Sequence, residues 1–155
     1  MRNQIEVDTD TVLSEVDLSS LSGKTILVTG ATGLLGTHIA SILSRVAEEL
    51  CLTLYFQFQR RPSIDMRGYP VYANLANPTD CANLPRADVI ICAHSYAQPM
   101  RFIAEPLMAL RGAAYGVMAL LEKVNVGGKF LYISSSEVYC DSQATPPYKE
   151  TDIGA

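Results

Sequence analysis

Tryptophan is absent from the 155 residues, and histidine occurs only twice, at His38 and His94. With His38 inside a helix-patterned stretch and no third ligand nearby, no metal centre is expected. The four cysteines, Cys51, Cys81, Cys92 and Cys140, include no C-x-x-C pair and no metal-ligand spacing. Cys51 and Cys92 fall in predicted strands and read as core thiols of a protein in a reducing, cytoplasmic compartment. No apolar run reaches the ~18 residues that a membrane span needs. Met1 to Ser20 alternates acids with polar residues and matches neither a signal peptide nor a transit peptide. Basic residues are scattered, and Arg60-Arg61 is the only adjacent pair. A net charge of −4 then gives no electrostatic ground for nucleic-acid binding. Charged residues make up 18% and hydrophobic ones 48%, which suits one globular, somewhat apolar domain. There is no internal repeat and no low-complexity segment.

What is present is organised around Thr25 to Leu50. A β-branched apolar run, Ile26 to Val28, breaks into three glycines spaced three apart: Gly30, Gly33 and Gly36. Leu35, Ile39, Ile42, Leu43 and Val46 then recur at helical spacing. Strand, glycine turn and helix form the dinucleotide-binding arrangement. The turn off the strand needs a residue free to take positive φ. A pyrophosphate must approach backbone N–H groups at a helix N-terminus, where a side chain would block it. The third glycine lets the helix pack closely on the strand.

Residues 1–22 read as an N-terminal arm and residues 23–155 as the dinucleotide-binding domain. The pattern predicts strands near Lys24–Thr29, Cys51–Phe58, Val71–Ala73, Ala87–Ala93 and Lys129–Ser134. Helices are predicted over Leu34–Glu49 and Pro106–Val124, and Asn74–Pro85 reads as a loop with at most one helical turn. The fourth strand reads as fully buried, and Gly127-Gly128 reads as the turn into the fifth. Alternating strands and helices predict an α/β, Rossmann-type doubly wound parallel sheet in the order 3-2-1-4-5. Ligands then bind at the carboxyl ends of the strands, near the switch point between the first and fourth. The glycine turn, His94-Ser95 and Ser134-Ser135-Ser136 all fall at carboxyl ends.

An acid is expected about 20 residues past the glycines where a carboxylate holds the ribose of NAD. Here the region reads Phe56-Gln57-Phe58-Gln59-Arg60-Arg61, without one. Glutamine can bond the ribose hydroxyls. Arg60 or Arg61 either meets a 2′-phosphate through its planar fork or is a solvated loop residue, so NAD and NADP both stay open. His94 either lines the cofactor cleft or is a satisfied cap. The serines either form a turn or, with Glu137, make a hydrogen-bonding cluster that polarises a substrate hydroxyl or carbonyl.

Three segments in order, Thr29 to Gly36, Asp88 to His94 and Leu131 to Tyr139, together resemble the N-terminal half of the extended short-chain dehydrogenase/reductase family. The similarity runs from about Lys24 to Gly154 and is greatest to the NAD-dependent nucleotide-sugar epimerases, dehydratases and UDP-glucuronate decarboxylases. The resemblance implies transient oxidation of a sugar hydroxyl with tightly held NAD and a nucleotide-sugar substrate, and a homo-oligomer is expected because the fifth strand is left as an open edge. The resemblance places cofactor contacts on the turn from Gly30 through Thr32, Gly33, Leu34 and Leu35 to Gly36, on Asn74 and Leu75 where an Asp-aliphatic pair is usual, and on Ala93 and His94, beside Gln57 and Arg60 read above as the ribose-end candidates. Aligned on Val138-Tyr139, Ser135 stands at the catalytic Ser/Thr. Ser136 and Glu137 stand where sugar dehydratases carry Asp-Glu, and Ser-Glu is closer to the decarboxylases. Ala113 replaces an asparagine common in the family's helix.

One element of the resemblance is missing. The family's base is the tyrosine of a Tyr-x-x-x-Lys motif, and none of the eight tyrosines has a lysine four residues on. The chain is therefore expected to be a truncated piece, lacking later strands and a substrate domain, and to be inactive alone. The alternatives are a non-catalytic, regulatory dinucleotide-binding protein or a reductase of another small carbonyl compound, because fold alone does not fix function.

Overall fold

The computed structural model describes residues 4–59, 66–95, 99–139 and 146–152. Its frame is a five-stranded sheet of β1 (Thr25–Thr29), β2 (Thr53–Phe58), β3 (Tyr69–Tyr72), β4 (Ala87–Cys92) and β5 (Val124–Tyr132), in the order β3-β2-β1-β4-β5. Every neighbouring pair is parallel. The expected strand order is therefore the observed one.

Alternation along β1 divides the core. Ile26 and Val28 face one side of the sheet, where Ala40 and Leu43 of α2 (Leu34–Val46) meet them together with Leu54, Phe56 and Phe58. Leu27 faces the other side, among Cys81, Leu84, Ile90, Cys92, Ala119 and Leu120. All three β1 side chains are completely enclosed. Each such burial stabilises the fold by about 1.5–3 kcal/mol.

A short helix, α3 (Pro78–Ala82), precedes β4, and the chain returns from β4 to β5 through α4 (Pro99–Ala104), α5 (Pro106–Leu110), a π-helical stretch from Arg111 to Gly116, and α6 (Val117–Leu121). The apolar pattern predicted one uninterrupted helix from Pro106 to Val124. It breaks because Arg111–Gly116 contains two glycines and widens by a residue per turn. Val124 is not helical but opens β5. Gly127-Gly128 is not the turn before that strand. It lies inside it, with Gly127 at φ 75° and a register shift opposite Ala87 and Val89. β3 begins at Tyr69 rather than Val71 and contains Pro70. Proline is tolerated there because β3 is an edge strand.

Two burial expectations also need correcting. Cys51 is exposed, not a core thiol. It sits at φ 52° in the turn after α2, where its N–H and that of Leu52 close the helix end onto Glu48 and Ala47. Cys81 and Cys92 are buried, and Cys140 lies outside the described residues. In β4, Asp88, Val89 and Ile91 are only half-buried. The β5 strand beyond them covers that flank incompletely.

Asp88 fastens the amino end of the sheet. Its carboxylate accepts from the Thr25 N–H at 2.9 Å and from the Asn125 amide at 2.8 Å, joining β1, β4 and β5. These bonds hold its pKa below the usual carboxylate value, the Asn125 bond contributing most.

Ahead of β1, α1 (Gln4–Glu15) lies along α2. Thr9, fully buried, bonds Ser41 at 3.0 Å, and Arg45 pairs with Asp10 at 3.1 Å. His38 faces acceptors on both ring nitrogens, the Leu34 carbonyl at 2.9 Å and Asp8 at 3.1 Å. Two acceptors favour the imidazolium, and the Leu34 carbonyl is the main reason its pKa rises above 6.5. The raised value means that this contribution is complete below the unfolded-state pKa. It is lost as pH climbs through the folded one. Backbone amides of α1 should therefore show larger exchange protection factors at about pH 6 than at about pH 8. Asp8→Asn should flatten that difference, and a pH-independent wild type would contradict the assignment.

Candidate functional site

The site is a cleft of about 560 Å³ at the carboxyl ends of the strands, on both sides of the boundary between β1 and β4. This size suits a small-molecule site. Its walls come from the glycine turn (Gly30, Thr32, Gly33), the ends of β2 and β3 (Gln57, Gln59, Ala73 to Ala76), the end of β4 (Ala93, His94, Ser95) and the helical return (Phe102, Ala109, Gly112, Ala113, Val117), with Tyr132 closing one side.

The glycine turn is shaped by close backbone approach. Gly30 has φ 65°, and a Cβ there would lie 2.6 Å from the Ala93 carbonyl oxygen. At Gly36 a Cβ would collide with the Gly30 carbonyl itself. Gly36 therefore lets α2 sit directly on the turn. The Gly33 N–H donates to Gly30 O at 2.9 Å, and the Thr37 hydroxyl donates to Ala31 O at 3.1 Å, locking the first helical turn. Gly33 caps α2 without a side-chain bond. The free N–H groups and the positive end of the helix dipole thus face a region open to an anion.

Predicted site residues divide into four groups. Gly30, Thr32, Gly33, Gln57, Asn74, Leu75, Ala93 and His94 converge on the cleft walls. Leu34, Leu35 and Gly36 do not line it. Leu34 and Leu35 project to solvent from the first turn of α2, and Gly36 is buried beneath. Ser135, Ser136 and Glu137 follow β5 at its carboxyl end, exposed and outside the cleft walls. There the Ser135 hydroxyl accepts from the Glu137 N–H at 3.2 Å, capping a single 3₁₀ turn. Arg60 and its neighbour Arg61 lie outside the described residues.

His94 is a cross-tie. Its Nε2–H donates to the Gly112 carbonyl at 3.1 Å, which leaves Nδ1 to accept from the Thr29 hydroxyl at 3.1 Å. Cys92 Sγ lies 3.4 Å from the same nitrogen. Burial holds the ring's pKa below 6.5, so it is neutral at pH 7. Both sequence readings of His94 apply, since it lines the cleft and is fully satisfied. Asn74 similarly turns inward on the chain, its side-chain oxygen accepting from Ala76 N at 3.1 Å.

The helical wall was missed. Ala109, Gly112, Ala113 and Gly116 recur at three- and four-residue spacing, a stripe of small residues readable in the sequence. It brings the helix backbone close to the β3 end, where a Cβ on Gly116 would lie 2.8 Å from the Leu75 carbonyl oxygen. Among the described residues no group of His, Cys, Asp and Glu could hold a metal ion, and no helix is long and apolar enough to cross a membrane.

A family model described as the NAD dependent epimerase/dehydratase family matches residues 26–154. UDP-glucuronic acid decarboxylase 1 of Xenopus tropicalis is 26% identical over 135 residues, covering 86% of this chain and 32% of that protein. UDP-glucose 4-epimerase of Neisseria gonorrhoeae is 27% identical over 139 residues, covering 79% and 40%. The chain thus spans about a third to two-fifths of the curated relatives it matches. Among solved structures, the Thermotoga maritima UDP-glucose 4-epimerase with UDP-glucose superimposes with a TM-score of 0.68 at 19% identity, over 84% of this chain and 44% of that one. A short-chain dehydrogenase/reductase superfamily protein from Agrobacterium tumefaciens with bound NAD gives 0.65 at 19%, over 84% and 39%.

Because Gly36 leaves no room for a methyl group, Gly36→Ala should destabilise the domain by about 1–3 kcal/mol, with the backbone clash favouring the upper end. Urea denaturation measures this, and an unchanged midpoint would contradict the packing described.

Proposed function

The chain belongs to the NAD dependent epimerase/dehydratase family, and from that premise we propose that its cleft binds NAD for nucleotide-sugar chemistry. The observation that carries the reading is the turn from Gly30 to Gly36, which meets an uncapped helix end at the switch point of the sheet. The residues present suit such a cofactor. The pyrophosphate would lie against the N–H groups at the start of α2, and Gly30 and Gly33 leave the space that side chains would fill. Gln57 and Gln59 would serve the ribose, and Asn74 and Leu75 the adenine. His94 keeps the floor in place. When bound, NAD supplies a hydride acceptor for the carbon of a sugar hydroxyl. Ser135, Ser136 and Glu137 would hydrogen-bond the substrate above it, in an epimerase, dehydratase or decarboxylase reaction.

The same residues argue for binding rather than turnover in this polypeptide by itself. None of its 155 residues forms a Tyr-x-x-x-Lys pair. No tyrosine therefore has a lysine one helical turn away to help it take the hydroxyl proton.

Isothermal titration should show NAD binding to the isolated chain. Gly33→Asp, which sets a carboxylate against the pyrophosphate, should weaken it at least about tenfold with the fold intact by circular dichroism. No binding at millimolar NAD would sink the proposal. Added UDP-sugar should give no conversion of the sugar by the chain alone.

We further propose a homo-oligomer through the β5 flank. Among the described residues β5 is an edge strand, with Val126, Leu131 and Tyr132 exposed, and Leu107, Met118 and Leu121 on the helical return are exposed as well. An unpaired edge with apolar neighbours is a template for another strand or helix. Light scattering at micromolar concentration should report more than one copy, and a clean monomer would refute it.

A further inference from the structure

The helix α1 lies ahead of residues 26–154, the part of the chain that the family model matches. Its seat is the outer face of α2. Ala40 and Leu43 turn α2 toward the core, whereas His38, Ser41 and Arg45 recur at three- and four-residue spacing on the opposite face. Three consecutive residues of α1 meet them. Thr9, at the centre, is fully buried and bonds the Ser41 hydroxyl at 3.0 Å. On either side of it Asp8 reaches His38 at 3.1 Å, and Asp10 reaches Arg45 at 3.1 Å. The centre of the seam is therefore polar. Among the described residues neither apolar core includes a side chain of α1, and its Ile5, Val12 and Leu13 are only half-buried.

The attachment downstream does not depend on α1. Val16 to Leu18 belong to no helix or strand, and Asp17 among them already caps the turn that follows. Its carboxylate accepts from the Ser19 N–H at 2.8 Å and from the Ser19 hydroxyl at 2.9 Å. Leu21 then packs against the core, and the Gly23 N–H donates to the Leu50 carbonyl at 2.8 Å. The chain is thus pinned to the domain just after α1, with a joint between the pin and the helix.

We propose that α1 is a releasable strap, which leaves the outer face of α2 as a unit while the rest of the domain stays folded, with the Asp8–His38 and Asp10–Arg45 pairs as its catch. Residues 4–17 carry five acids, Glu6, Asp8, Asp10, Glu15 and Asp17, and no lysine or arginine. His38 and Arg45 are the only basic side chains of α2. The charged group that faces His38 from α1 is Asp8, and within α2 the ring faces the Leu34 carbonyl, while Arg45 is taken up by Asp10. With the ring neutral, a single cation of α2 stands against the five acids. Docking is therefore fullest below the unfolded-state pKa of His38 and weakens as pH climbs through the raised folded value. Both pairs are partly exposed, so salt weakens them too. A pair of this kind moves an equilibrium by only about two- to fivefold. That is enough to matter here, because a 12-residue helix is marginal by itself and no fully buried apolar side chain holds this one. Once released, α1 loses its helical form.

The test is NMR of the isotope-labelled 155-residue chain, following the Cα shifts. At about pH 6 in dilute salt residues 4–15 should carry helical shifts. Raising the pH to about 9 should lower the ratio of docked to released α1 by about two- to fivefold, and about 0.5 M salt at the lower pH should do so for each pair it screens. Both changes move the α1 shifts toward coil values, while those of β1 and of Ala40 to Val46 stay in place. Asp8→Asn combined with Asp10→Asn should give the released shifts at either pH and at either salt. Should that variant fail to fold, the two titrations of the unaltered chain decide alone. Shifts of α1 that hold through both titrations overturn the proposal. So does loss of α1 in step with β1 and α2, which makes it part of the domain's own unfolding. A double variant that responds to pH and salt as the unaltered chain does overturns the two pairs as the catch.

Discussion

The carbonyl of Gly30 occupies the space that any side chain at position 36 would need. The rest of the architecture depends on that contact. It seats α2 on the turn, and so brings Ala40 and Leu43 onto Ile26, Val28 and Phe56. It also aims the helix's unpaired N–H groups at the mouth of the cleft. Folding and binding thus draw on the same few atoms, and the packing of the helix is inseparable from the direction in which its dipole points.

Much of this was legible in the sequence because it rests on local rules. Three glycines at fixed spacing after a β-branched run can be read without tertiary information, as can the alternation that gives the order 3-2-1-4-5. What failed depended on partners distant in sequence or on how a helix ends and widens. Gly127-Gly128 looks like a turn in isolation, yet pairing with β4 draws it into a strand as an irregularity. Cys51 looks like a strand residue until α2 closes its last turn over it. The π-helical stretch has no periodic signature that separates it from an α-helix. The small-residue stripe along that helix was visible, but its meaning needed the Leu75 carbonyl beside it.

Among the described residues the cleft is built without formal charge. Its histidine is neutral, its polar side chains are amides and hydroxyls, and its attraction for an anion comes from backbone groups. Such sites lose little to reorganisation, because helix ends and cross-tied side chains are already oriented. Gln57 and His94 are the two ties. Gln57 joins the glycine turn to the end of β3, and His94 joins the end of β1 to the π-helical wall.

Asp88 does the corresponding work at the far end, where one carboxylate holds Thr25 of β1 and Asn125 of β5. Mechanically this makes it a rivet near the pivot of three levers. At the opposite rim, where the cleft opens, β4 and β5 stay joined through the main chain, the Ile133 N–H donating to the Cys92 carbonyl at 3.1 Å. The sheet is thus pinned by a side chain at its amino end and by backbone at the end where the cleft opens, so a change at position 88 would reach three strands at once.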